Sequence, residues 1–330
     1  MKKFLPSIAF VLVLGLAVFI GSAISSEIGF YVEGGNVKLG GPDYAWWYGC
    51  SPTSAGMMMA YYDRNGYGSH SYNNLVPGGT AESSTFAIPN NWNYLANNAI
   101  ASWGYVTDFY RYSNGTPDYY TSGAGAYLNS NDDVKTPSHS FNCLADFMGT
   151  SQDAIGNPNG ATTFYYNIDG TRFYAKDAFT QGVWNKDGMY GMAEYFNYAG
   201  YGSHNLPNDT NFFTQKILKF SPLGIREGFT FADYKAEIDA GRVVMIQLQG
   251  HSVLGYGYKD DGLKRIVYLH DTWSEGDHTM DWGGSYSGME QWGVTCFIPT
   301  GAAPIPPSVL LLGSGLVGIF GFRFIFKHKH

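Results

Sequence analysis

The chain has 330 residues and a formal net charge of −7, with 45% hydrophobic, 17% aromatic and only 14% charged side chains. That balance lacks the basic footprint a nucleic-acid partner needs, and no repeat period marks a solenoid or propeller. Its 43 glycines, many tyrosines and few charges describe a loop-rich, short-stranded exported domain rather than a charged cytosolic one.

The chain begins with Lys2 and Lys3, an apolar stretch from Ile8 to Ile20, and the small residues Gly21-Ser22-Ala23. This is the order of a secretory signal peptide, and the run is short for a membrane span. Residues 1–26 are therefore set apart as an export signal for signal peptidase. Residues 27–300 follow, about 270 in number, enough for one large domain.

The first ordered piece is Tyr44 to Asp63, YAWWYGCSPTSAGMMMAYYD. Ser51-Pro52-Thr53 offers capping hydroxyls and a proline suited to a first helical turn. Good helix formers run from Ala55 to Tyr62 and Gly66 stops them, which puts Cys50 at the N-terminus of a buried helix. Residues 67–215 are rich in Asn, Gly, Tyr, Ser and Asp, with regular stretches only near Trp92–Trp103, His139–Met148 and Met189–Tyr198. Such a region is expected as a large insertion decorating a substrate cleft. Later, Phe231, Tyr234 and Ile238 share one face of a short helix ending at Gly241. Val243–Leu248, Ser252–Tyr258 and Ile266–Trp273 then read as strands. One helix followed by late strands is an α+β pattern.

Thiol chemistry needs a thiolate, a base for its proton and a group that holds the base. A helix N-terminus favours the anion of Cys50, so a thiolate is expected at neutral pH. His251 stands between Gly250 and Ser252 after a buried strand. Asp271 ends a following strand, so strand pairing can bring it beside His251, with Trp273 shielding the pair. His270, its neighbour, points to the other face and reads as structural.

The stretches YGCSPTSAGM, GHSVLGYGY and LHDTW, in this order, resemble the nucleophile, His and Asp blocks of bacterial papain-like cysteine peptidases similar to those that cut double-glycine leader peptides. The resemblance implies a papain-like fold, a central N-terminal helix on an antiparallel sheet, with Cys50, His251 and Asp271 as the catalytic triad and a peptide as substrate. One departure stands out: the family's oxyanion-hole Gln, six places before the Cys, is Tyr44 here. The second donor, beside the Cys50 amide, is then expected from the Tyr44 hydroxyl or the indole of Trp46 or Trp47. The Pro-rich stretch 299–307, the apolar run 308–322 and the basic Arg323, Lys327 and Lys329 resemble a PEP-CTERM sorting tail, although Ile305-Pro306-Pro307 departs from Pro-Glu-Pro. That resemblance implies an exosortase-type processing enzyme, transient anchoring of residues 301–330 in the inner membrane, release to the cell surface and contact with extracellular polymer.

Of three cysteines, Cys143 and Cys296 are either a disulfide that leaves Cys50 free or two buried thiols. No metal or cofactor is expected: His251, His270, Asp271 and His278 lack metal-site spacing, and the oxygen-rich runs 129–133 and 185–188 do not complete a calcium loop. Two other functions use the same residues: a transglutaminase-like acyltransferase, and a non-catalytic surface module whose Tyr-rich insertion binds matrix.

Overall fold

The computed structural model describes residues 30–33, 36–76, 95–102, 104–105, 112–113, 116–117, 141–152, 155–157, 160–202, 205–217 and 228–299. The expected export signal and sorting tail lie outside them. In chain order the elements are β1 (Phe30–Glu33), β2 (Asn36–Leu39), α1 (Cys50–Asn65), α2 (Leu95–Ile100), β3 (Tyr112–Ser113), β4 (Thr116–Pro117), α3 (Leu144–Phe147), β5 (Phe173–Tyr174) and α4 (Ala175–Thr180). There follow α5 (Gly188–Tyr198), β6 (Phe212–Lys216), α6 (Phe231–Asp239), β7 (Val244–Leu248), β8 (His251–Asp260), β9 (Arg265–His270), β10 (His278–Asp281), β11 (Ser285–Tyr286) and β12 (Met289–Phe297).

The fold is α+β, built on a ten-stranded sheet whose main path runs β1-β2-β8-β7-β12-β6-β5, with β9 and β10 continuing from β8. The strand pairs are antiparallel. Helix α1 packs against β8 and β7. Its residues from Ser51 to Asp63 are all buried, as befits a helix with apolar or small residues on every side. Gly66, at φ 61°, ends it with an amide donated to the Tyr62 carbonyl. Helix α6 covers the opposite face and is started by Thr230, whose hydroxyl accepts the Asp233 amide at 3.2 Å while Asp233 accepts the Thr230 amide at 2.8 Å.

Register assigns the two faces. Thr295 and Phe297 of β12 share the α1 face: Phe297 lies 5.0 Å from Tyr62 of α1 and stacks 4.5 Å from Phe212. Cys296 and its partners Phe213 and Val244 share the α6 face. This disposes of the proposed Cys143–Cys296 bridge. Cys143 opens α3 on the α1 side, where its thiol donates to Asp146 at 3.2 Å, and the sheet stands between it and Cys296. Both are free, buried thiols.

Residues 67–215 are not an appendage to this core. Their described parts supply β5 and β6 to the main sheet, and α3 and α5 pack beside α1 and β6. Burial of Phe212, Phe213, Met189, Met192 and Phe196 explains why: this stretch carries core apolar surface that its polar composition hides.

Candidate active site

Two left-handed residues, Tyr48 (φ 56°) and Gly49 (φ 149°), turn the chain into α1. Gly49 must be glycine, because a Cβ there would sit 2.9 Å from Pro52 and 3.0 Å from the Thr150 methyl. The expected capping hydroxyls have other partners. Thr53 Oγ1 donates to the Gly49 carbonyl (2.7 Å) and accepts the Trp47 amide (3.0 Å), which locks the turn. Ser51 Oγ lies 2.9 Å from Ser252 Oγ, and Ser54 Oγ donates to the Ser252 carbonyl at 3.0 Å. These two contacts rivet the start of α1 to the start of β8. Cys50 and His251 are thereby brought to one cavity of about 480 Å³.

His251 is 5% exposed and stacks on Trp273, with centroids 4.0 Å apart and planes 15° from parallel. Its Nε2 lies 2.9 Å from the backbone carbonyl of Asp271. A carbonyl only accepts, so Nε2 carries the proton and Nδ1 is the basic nitrogen. The expected role of the Asp271 side chain is corrected here. Its Oδ1 accepts the amides of Trp273 (2.8 Å) and Ser274 (3.0 Å), and its Oδ2 accepts the Tyr286 hydroxyl (2.7 Å). The carboxylate thus shapes the loop that presents its own carbonyl, and Trp273, to the imidazole. Burial raises the Asp271 pKa, but the bonds from Ser274, Tyr286 and Trp273 outweigh it and leave the pKa below the usual carboxylate value. The amide of Trp46 donates to the Thr272 carbonyl at 2.7 Å, tying this loop to the segment before Cys50.

Enclosure pushes the Cys50 thiol up, against the opposing contacts from Ser252 and Ser51. Burial also pushes the His251 pKa down, against the pull of Asp271. Both shifts run against the expected resting thiolate: desolvation favours the uncharged thiol and the uncharged imidazole, opposing the helix N-terminus.

Of the three oxyanion candidates, Tyr44 and Trp47 do not reach the cavity. Tyr44 is fully buried, with its amide on Met57 Sδ at 3.3 Å. Trp47 is buried, and its indole N–H donates to the Ala101 carbonyl at 3.0 Å. Trp46, the third aromatic considered, does line the cavity. Sequence reasoning missed Gln247, Tyr166 and Trp292, which also line it. Gln247 left a signal, as the one polar residue inside a run of apolar strand residues from Val243 to Leu248. Tyr166 left none among the surrounding tyrosines. Among the described lining residues, His251, Cys50 and Tyr166 are the ones with an ionisable side chain.

His270 packs away from this cavity, stacked 4.2 Å from Tyr256 and 3.5 Å from Asp43. Among the described residues no group of three or more His, Cys, Asp or Glu is placed to hold a metal, and no helix is long and apolar enough to cross a membrane. Asp187, from the second oxygen-rich run, caps α5 instead, with Oδ1 on the Met189 and Tyr165 amides. The first such run, 129–133, lies outside the described residues. No family model, no curated protein and no solved structure matches the chain.

Proposed function

We propose that the chain is an exported cysteine peptidase of papain-like architecture that hydrolyses peptide bonds through a Cys50 thioester. One observation carries the reading: a cysteine at the first position of a buried helix and a histidine whose Nε2 is held by a carbonyl line the same cavity. As a substrate carbonyl arrives, Nδ1 of His251 takes the thiol proton and Sγ bonds to the carbonyl carbon. The oxygen becomes an oxyanion facing the Cys50 amide, one of the helix's first donors, which has no intrahelical acceptor. The tetrahedral species collapses, the C–N bond breaks, and the proton on Nδ1 leaves with the amine. Water then gives a proton to Nδ1 and attacks the thioester; the acid departs and the proton returns to sulfur.

Trp273 and the Asp271 carbonyl hold the ring in one plane throughout. The terminal segments 1–26 and 301–330 support export and retention at the cell surface, through signal peptidase and an exosortase-type enzyme. The experiment is incubation of the protein with a peptide library read by mass spectrometry. New N-termini that vanish in Cys50→Ala and His251→Ala are expected; a Cys50→Ala variant of full activity refutes the reading. An added primary amine appearing in the products would assign the thioester to acyl transfer instead.

A further inference from the structure

We propose that the Tyr166 hydroxyl is the second donor to the carbonyl oxygen of the acyl group that Cys50 attacks. The inference rests on the thioester reading above and adds a residue to it. Of the three aromatic donors expected ahead of the cysteine, Tyr44 and Trp47 are buried elsewhere and Trp46 lines the cavity with its amide tied to the Thr272 carbonyl; Tyr166 adds a hydroxyl from another element.

Tyr166 comes from the irregular stretch before α4, and its phenol lies across β7 and β12 at the cavity wall. Gly293 makes room for it: a Cβ there would fall 2.7 Å from Tyr166 Cζ and 2.8 Å from its Oη. The register of β7 on β12 shifts at this place, between Gln291 and Gly293. The Tyr166 hydroxyl lies 3.2 Å from Gln247 Oε1, and Gln247 Nε2 lies 2.9 Å from Thr295 Oγ1. Gln247 and Thr295 are otherwise enclosed, so the phenol oxygen has a fixed brace reaching into the sheet.

With Oε1 toward Tyr166 the phenol gives its one proton to Gln247, so the donor role needs the amide in its other orientation. Turned by half a rotation, Oε1 accepts the Thr295 hydroxyl proton and Nε2 donates to the Tyr166 oxygen. The phenol proton then points to an acceptor in the cavity. Enclosure and the nearby Asp187 carboxylate hold the phenol well above its usual pKa, so it stays a donor. The smaller hydroxyls on the lining already join elements: Ser51 to Ser252 and Thr162 to Thr150, at 2.9 and 2.8 Å.

The test compares two reactions of Cys50 in the full protein. Burst acylation by p-nitrophenyl acetate passes through an oxyanion, whereas alkylation by iodoacetamide does not. Tyr166→Phe keeps the ring on Gly293 and removes only the donor. It is expected to slow acylation by ~10²–10³-fold while alkylation stays within about twofold of wild type. Gln247→Leu, which unties the phenol without removing it, should give a smaller loss of acylation alone. Unchanged acylation in Tyr166→Phe overturns the assignment. So does an equal fall in both rates, which would mean that Tyr166 only shapes the surroundings of Cys50. A wild-type protein that neither reagent modifies sinks the thioester reading itself, and the donor role with it.

Discussion

Replacing Asp271 by Asn separates a carboxylate that orients the base from one that builds the loop around it. The imidazole touches the Asp271 carbonyl at 2.9 Å, and Asn keeps that carbonyl. Its side-chain oxygen can still accept the Trp273 and Ser274 amides, and the Tyr286 hydroxyl can turn to accept from the new amide. Three bonds to a charged acceptor become bonds to or from a neutral group. Charged-group hydrogen bonds contribute about 1.5–3 kcal/mol and neutral ones about 0.5–1.5, so each weakens by about 1 kcal/mol and the loss of stability approaches about 3 kcal/mol. Turnover should fall by no more than about tenfold, because the tautomer is set by the main chain. Urea denaturation gives the first number, and the burst rate with p-nitrophenyl acetate gives the second. A side chain that holds the imidazole directly behaves otherwise, with losses on the order of 10⁴ in turnover for the same exchange. A loss of that size in a folded Asp271→Asn protein refutes orientation by the carbonyl.

The remaining expectations concern pH, thiols and packing. Burial lowers the His251 pKa below 6.5, so the acid limb of kcat/KM should fall below the usual histidine range. With the folded value below the unfolded one, His251 favours folding above about pH 6.5 and that advantage is lost as pH falls through the folded pKa. Urea midpoints measured from pH 8 to 5 should show this slope, and His251→Gln should flatten it. Thiol titration of the protein unfolded without reductant should count three thiols, and reductant should leave the Tm unmoved; a count of one would restore the Cys143–Cys296 bridge. Gly293→Ala should destabilise by about 1–3 kcal/mol through overpacking against Tyr166. It should also slow acylation, and wild-type rates in that variant would show that the phenol need not lie there.

Local chemistry makes several elements legible in the sequence alone. Pro52, the helix formers to Tyr62 and Gly66 bound α1 within the sequence itself, and Thr230 with Asp233 starts α6. The apolar run Val243–Leu248 announces a strand buried on both faces, as β7 is. The place of Cys50 at the start of α1 is readable because a helix start is a local feature, and His251 stands at the start of β8.

What tertiary structure decided is which atoms meet. Asp271 lies where pairing of β8 and β9 places it, but only the loop after β9 determines that its carbonyl, not its carboxylate, faces the ring. Tyr44 and Trp47 have the right chemistry for an oxyanion donor, yet packing under α1 and against Ala101 takes them from the cavity. Tyr166 reaches it from a distant, polar-looking stretch, because a sheet closes over sequence separation and side-chain direction follows register rather than spacing. The same rule puts Cys143 and Cys296 on opposite faces of one sheet, a separation that no count of cysteines contains.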